Sequence, residues 1–294
     1  MRIVPILRAT LADRVCLCTI QWLHQTLVET EKYPATFLNG NIAIRPFVGS
    51  VPLYIFPSLE QRGLLYQPLL FHEFGHLLYA LHRPEMDDLV RELQYAVDDA
   101  LMPLSQRNDR YTDAETADRQ IIMNTWYAWA QELFCDAVGF TIGGPCYLHA
   151  FSNYLGMRDQ GGYYRQRERL EHSSHPVSWL RIHFLTHRAK SAGFSQLATL
   201  VETKWKTIAH IMKITEDYHG YYDAALDRII QSTLSDMLVE AAPQPFSQPE
   251  IKGESWNPDV NSPVQLFNWA WQAYENDPDS YAKWEVERMN EWVR

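Results

Sequence analysis

Apolar residues recur along most of the chain at three- and four-residue spacing, the period of an amphipathic helix. From Thr10 to Glu31 that spacing picks out Leu11, Val15, Cys18, Trp22 and Leu27. It gives way at NGNIAIRPFVGSVPLYIFPS, where the Asn39-Gly40 turn, alternation and the Gly49-Ser50 break predict two short strands. Helical spacing resumes at Leu69 and runs to about His82, where Pro84 sets a stop; Asp87 to Leu101 predicts another helix. A long helix is expected from Asp113 to Ile142, closed by Gly143-Gly144-Pro145, and a short one from Cys146 to Leu155. Gly161 to Tyr164 reads as a loop, and Pro176 opens a helix through PVSWLRIHFLTHRAK. Two further helices are predicted, Ser195 to Met212 and Glu216 to Ala241. A Pro-rich arm follows, then a helical, aromatic and acidic tail from Val264 to Arg294.

The fold class this pattern predicts is α+β and predominantly helical, with a small sheet just ahead of the Leu69 helix. At 294 residues the chain suits one large domain or two ordinary ones. The expected division is a core over residues 1–192, with its N-terminal helix, and a helical extension over 193–294. That extension includes the arm 242–263 and is expected to pack on the core.

Composition narrows the function classes. Hydrophobic residues make up 46% of the chain, enough for a packed core and too many for wholesale disorder. The net charge of −10, without a dense Lys/Arg block, argues against a nucleic-acid partner. Cys16, Cys18, Cys135 and Cys146 lack the spacing of a disulfide framework or a CxxC zinc site and read as reduced thiols. Arg8, Asp13 and Arg14 interrupt the opening residues, so they fail as a signal peptide. No run of eighteen apolar residues occurs, so no membrane insertion is expected and the cytoplasm is the predicted location.

Within that frame LLFHEFGHLLYA, Leu69 to Ala80, stands out: two histidines and a glutamate in an otherwise apolar helix. At 100° per residue, with His72 at zero, His76 falls at about 40° and Glu73 at about 100°. Two imidazoles one turn apart on one side are the HExxH arrangement that chelates zinc. Gly75 weakens a helix by roughly 1 kcal/mol relative to alanine and points to a close backbone approach. Read structurally, the same residues are a polar stripe matched by chance.

A catalytic zinc needs three protein ligands and an open position. WAQELFCDAVGF offers Glu132 as the third ligand and Asp136 one turn on, where it would accept the other ring N–H of a ligand histidine. Both lie among Trp126, Trp129, Leu133, Phe134, Val138 and Phe140, company in which carboxylates are costly unless paired or metal-bound. The bland alternative is an exposed acidic stripe.

HExxH followed by ExxxD, with Glu132 56 residues after His76, resembles the gluzincin metallopeptidases. SSHPVSWLRI resembles the His-Pro-Pro…Arg-Ile segment of the family that contains HtpX and the CAAX prenyl proteases. His175, Pro176, Arg181 and Ile182 fall at that family's spacing, and Val177 stands in for the second proline. The resemblance covers Leu70 to Ile182 and implies a zincin-like core and zinc-dependent hydrolysis of a peptide or protein substrate, with one zinc per chain. Those relatives often carry membrane-spanning helices, so the expected member is a stand-alone soluble one. In this reading His72, His76 and Glu132 hold the metal, and Glu73 is the base that activates water. His175 and Tyr164 are the catalytic candidates for stabilising an oxyanion, with His172 and Tyr163 beside them. Asp136 and Arg181 support the ligands. By analogy with other gluzincins, the strand VPLYIF would add the substrate at a sheet edge.

Two other readings share the residues. A non-catalytic zinc-binding or interaction protein of zincin fold would use the aromatic C-terminal region, with Trp256, Trp269, Trp271, Trp284 and Trp292, as a protein-partner surface. A di-iron carboxylate protein would combine Glu73-x-x-His76 with a second ExxH, Glu216 to His219.

Overall fold

The computed structural model describes residues 10–48, 51–56, 63–101, 113–158, 162–252 and 255–294. The opening residues 1–9 read against a signal peptide, the Gly49-Ser50 break and Gly161 lie outside them. The chain is α+β and mostly helical, with one three-stranded sheet among the described residues. It clusters into two units, neither a continuous stretch: residues 1–77, 138–151 and 243–294, and residues 78–137 and 152–242. No helix of the described residues is long and apolar enough to cross a membrane.

In the first unit, helix α1 (Leu11–Gln25) starts at a capping box: Asp13 N–H donates to Thr10 Oγ1 and Thr10 N–H to Asp13 Oδ2. It buries Val15, Cys16, Ile20 and Leu23 and is followed by a single turn, α2 (Val28–Glu31). The strands are β1 (Phe37–Asn39), β2 (Ala43–Val48) and β3 (Val51–Phe56), in the order β1-β3-β2. β3 runs parallel to β1 and antiparallel to β2, with an irregularity between Arg45 and Val48. Pro46 lies in that gap and has no N–H for the ladder. Two strands were expected and three are present among the described residues; a three-residue strand is too short to show alternation. β3 pairs with β2 on one side and, over Tyr54–Phe56, with β1 on the other, so among the described residues VPLYIF is the central strand. The outer strands of the sheet are β1 and β2.

The same unit holds the start of α3 (Leu69–Leu81), the end of α5 (Asp113–Gly143) and the first half of α6 (Pro145–Arg158). A Cβ at Gly139 would meet the Tyr147 ring at 2.4 Å, and one at Gly143 would meet the Phe71 ring at 2.9 Å. These glycines let two buried aromatics lie directly on the α5 backbone. The arm is anchored here: Phe246 N–H donates to Thr141 C=O at 2.9 Å, and its ring covers Gly144, which sits at φ +58°. One short helix, α11 (Gln248–Ile251), interrupts the arm before α12 (Pro263–Asn276) and α13 (Pro278–Trp292). The tail tryptophans pack within their own unit, Trp269 edge-on to Trp284 and Trp256 to Trp292. Glu285 on α13 accepts from Leu64 N–H and Tyr281 O–H, and burial pushes its carboxyl up.

The second unit contains the end of α3, α4 (Arg83–Leu101), most of α5, α7 (Arg167–Glu171) and α8 (Ser178–Ser191). It ends with α9 (Ser195–Met212) and α10 (Asp227–Ala241), preceded by the 3₁₀ turn Ala224–Leu226. α8 packs along α9, and α10 along α4. Pro84 sits in the first turn of α4, where a missing N–H costs nothing, so it starts a helix as well as ending one. The helix expected from Glu216 begins eleven residues later, at Asp227. His219 (φ +48°) and Gly220 (φ +79°) leave the right-handed region, and Asp217 bridges to Tyr164.

Candidate metal centre

Helix α3 is tethered at its start. Gln67 is fully buried; its Oε1 accepts from Thr19 Oγ1 at 2.8 Å, and its Nε2 lies 3.3 Å from Cys16 Sγ. Phe71 wedges on Gly143 and beside the Trp22 and Phe267 rings, fixing the helix rotation. That rotation buries His72 and Glu73, 7% and 4% exposed, and leaves His76 half-buried. The His72 ring stacks on Phe151, which stacks on Tyr147. His72 and His76 stand edge to face, their centroids 5.0 Å apart.

Behind Glu73 lies β3. Burial, reinforced by the Glu73 carboxylate, pushes the Tyr54 phenol well above 10. His24 Nδ1 lies 3.0 Å from the Tyr33 carbonyl and therefore donates there, leaving Nε2 to accept from Tyr54 O–H, also at 3.0 Å. The link between Tyr54 and Glu73 was not legible in the sequence; it joins a strand to a helix through packing.

On α5, Glu132 and Asp136 are buried one turn apart. Arg181, from α8 and 5% exposed, donates through Nε and Nη2 to the two Asp136 oxygens, each at 2.7 Å. Its Nη2 also lies 3.2 Å from Glu132 Oε2. This fork places a cation between two buried carboxylates that would otherwise repel.

His175, half exposed, directs Nε2 to within 3.3 Å of Glu132 Oε2. The other expected donors lie differently. Tyr164 is on the surface, with its ring edge-on to His219. Tyr163 is buried and stacked on Trp179, and burial followed by the Glu216 charge pushes its phenol up. His172 is exposed at the end of α7.

The structure brings His72, His76 and Glu132 together: each offers one ligand atom, and these atoms lie within 4.8 Å of one another. The group could hold a metal ion. Two imidazoles and a carboxylate are the donors of a three-ligand catalytic site. A tetrahedral ion with ligands at about 2.1 Å spaces its ligand atoms about 3.4 Å apart, a spacing inside the 4.8 Å limit of the group. A carboxylate has lone pairs enough for an ion and the Arg181 donor together. Against protein-family profiles, curated proteins and solved structures, the chain finds no match.

Proposed function

We propose that the chain is a zinc metallopeptidase of gluzincin type, built on a zincin-like core and holding one zinc on His72, His76 and Glu132. The observation that carries this reading is the gathering of those three ligand atoms with Glu73 buried one residue from His72. A 2-His-1-carboxylate set also suits non-haem iron; a carboxylate poised beside the set favours hydrolysis. Zinc, when bound, supplies Lewis acidity, polarising a carbonyl and acidifying water.

The chain's own residues do the rest. Glu73 accepts the proton of the attacking water and returns it to the departing amine. His175 directs an N–H to the developing oxyanion, a donor whose loss typically costs 10²–10³ in kcat. Arg181 holds Asp136 through two charge-assisted bonds and sets its charge 3.2 Å from Glu132 Oε2. The contacts of Tyr164 lie on the 217–219 loop and give it no part in these steps.

The di-iron reading loses its second motif: Glu216 to His219 is irregular backbone, with Glu216 accepting from Tyr218 and His219 bonded to the Arg165 carbonyl. The deciding experiment is cleavage of a peptide library by zinc-replete protein. Glu73→Gln should keep zinc and lose cleavage, while Glu132→Ala should lose zinc. Undiminished cleavage by Glu73→Gln refutes the assignment of the base.

A further inference from the structure

Helices α3 and α5 carry the three candidate ligands, and two contacts pin one helix to the other. The first is the Phe71 ring on Gly143, where a Cβ would meet it at 2.9 Å. The second is built on α4. Asp87 Oδ1 accepts from the Tyr79 hydroxyl of α3 and from the Tyr127 hydroxyl of α5, each at 2.8 Å. The Tyr79 ring also stands edge-on to Phe134 of α5, their centroids 6.1 Å apart. In sequence, residues 71 and 79 flank His72 and His76, and residues 127 and 143 flank Glu132. Tyr79 follows His76 by three residues and so shares its side of the helix.

A carboxylate oxygen takes two hydroxyl donors at once, and such bonds to an ionised acceptor are about twice as strong as neutral ones. The third group at Asp87 is the exposed Arg83 guanidinium, whose Nε lies 3.4 Å from Oδ2; a surface pair of this kind contributes little. The Tyr79–Asp87–Tyr127 bridge therefore turns on one acceptor oxygen. We propose that Asp87 is a positioning residue for the metal centre: through Tyr79 and Tyr127 it fixes how α3 lies on α5, and so the distance from the two imidazoles to Glu132. This rests on the metal-binding half of the reading above and not on peptide cleavage.

The test sets metal affinity against stability. Zinc affinity of the full-length protein is measured by competition with a chelator, alongside thermal melts of the metal-free form. Tyr127→Phe, which deletes one hydroxyl, and Asp87→Ala should each weaken zinc binding about tenfold, the lower end of the loss that follows when a ligand's support is removed. Asp87→Asn keeps an Oδ1 that accepts from both phenols and should bind zinc within about twofold of wild type. Tyr127→Phe/Asp87→Ala should lose no more than Asp87→Ala alone, since both changes cut one bridge. Met289→Ala, a truncation of a buried side chain on α13, should lower Tm and leave zinc affinity unchanged. Tyr127→Phe and Asp87→Ala that melt lower yet bind zinc as wild type does overturn the proposal, as does an Asp87→Asn as weak as Asp87→Ala. Wild type that binds no zinc rejects the metal reading and the proposal with it. Weakened zinc binding in Asp87→Ala, from a protein that cleaves nothing, upholds the positioning role and rejects the peptidase reading, so the two fail separately.

Discussion

Replacing Arg181 with methionine tests the electrostatic support of Glu132 and Asp136. The guanidinium is 5% exposed by residue and makes two 2.7 Å bonds to Asp136 and a 3.2 Å contact with Glu132. Methionine fills much of the volume and removes the charge, leaving two carboxylates buried one helical turn apart. Breaking a buried pair from one side costs about 3–5 kcal/mol. For a chain this size, about 2–4 °C per kcal/mol makes the expected fall in Tm at least about 6 °C. Thermal melts of metal-free wild type and Arg181→Met, followed by tryptophan fluorescence, measure it. The double variant Arg181→Met/Asp136→Leu should recover more than half the loss, because it removes an uncompensated charge along with its former partner. A single variant melting within about 1 °C of wild type would show that the guanidinium neutralises nothing of consequence.

Three other outcomes follow from the same geometry. Burial lowers His24 below its ordinary 6.5, against an opposing effect of the Tyr33 carbonyl; the unfolded chain therefore takes up the proton first, and stability present above pH 6.5 declines as pH falls through that value. Urea titrations from pH 8 to 5 should show this slope, and His24→Gln should flatten it. Gly139→Ala gains about 1 kcal/mol of helix propensity but drives a methyl into the buried Tyr147 ring; with overpacking costing about 1–3 kcal/mol, the net effect in a denaturant melt should be destabilising. Chelator treatment should lower the Tm of zinc-loaded protein, because an ion bound only by the folded chain stabilises it, and should leave Glu132→Ala unchanged.

The helices were largely legible because their signals are local. Apolar spacing and the Gly143-Gly144-Pro145 stop place α5 to within a residue at its end, and α9 spans the residues its pattern predicts. The strand order was not legible, since the pairing of Phe37 with Tyr54 is decided by packing and not by either segment's composition. The overextended Glu216 helix fails for a related reason: Asp217 bridges to Tyr164, remote in sequence, and His219 and Gly220 turn left-handed just after it. At the site, the four-residue spacing of His72 and His76 is visible on any helical projection. Glu132 was reached through motif and apolar company, and Arg181 as a support through a suggestive spacing.

The central claim is that two imidazoles from α3 and a carboxylate from α5 share one ion. Anomalous diffraction at the zinc edge, from crystals of zinc-loaded protein, tests it most directly. A single strong peak about 2.0–2.2 Å from His72, His76 and Glu132 is the expected result. A peak elsewhere, or none in crystals that retain stoichiometric zinc, would contradict it.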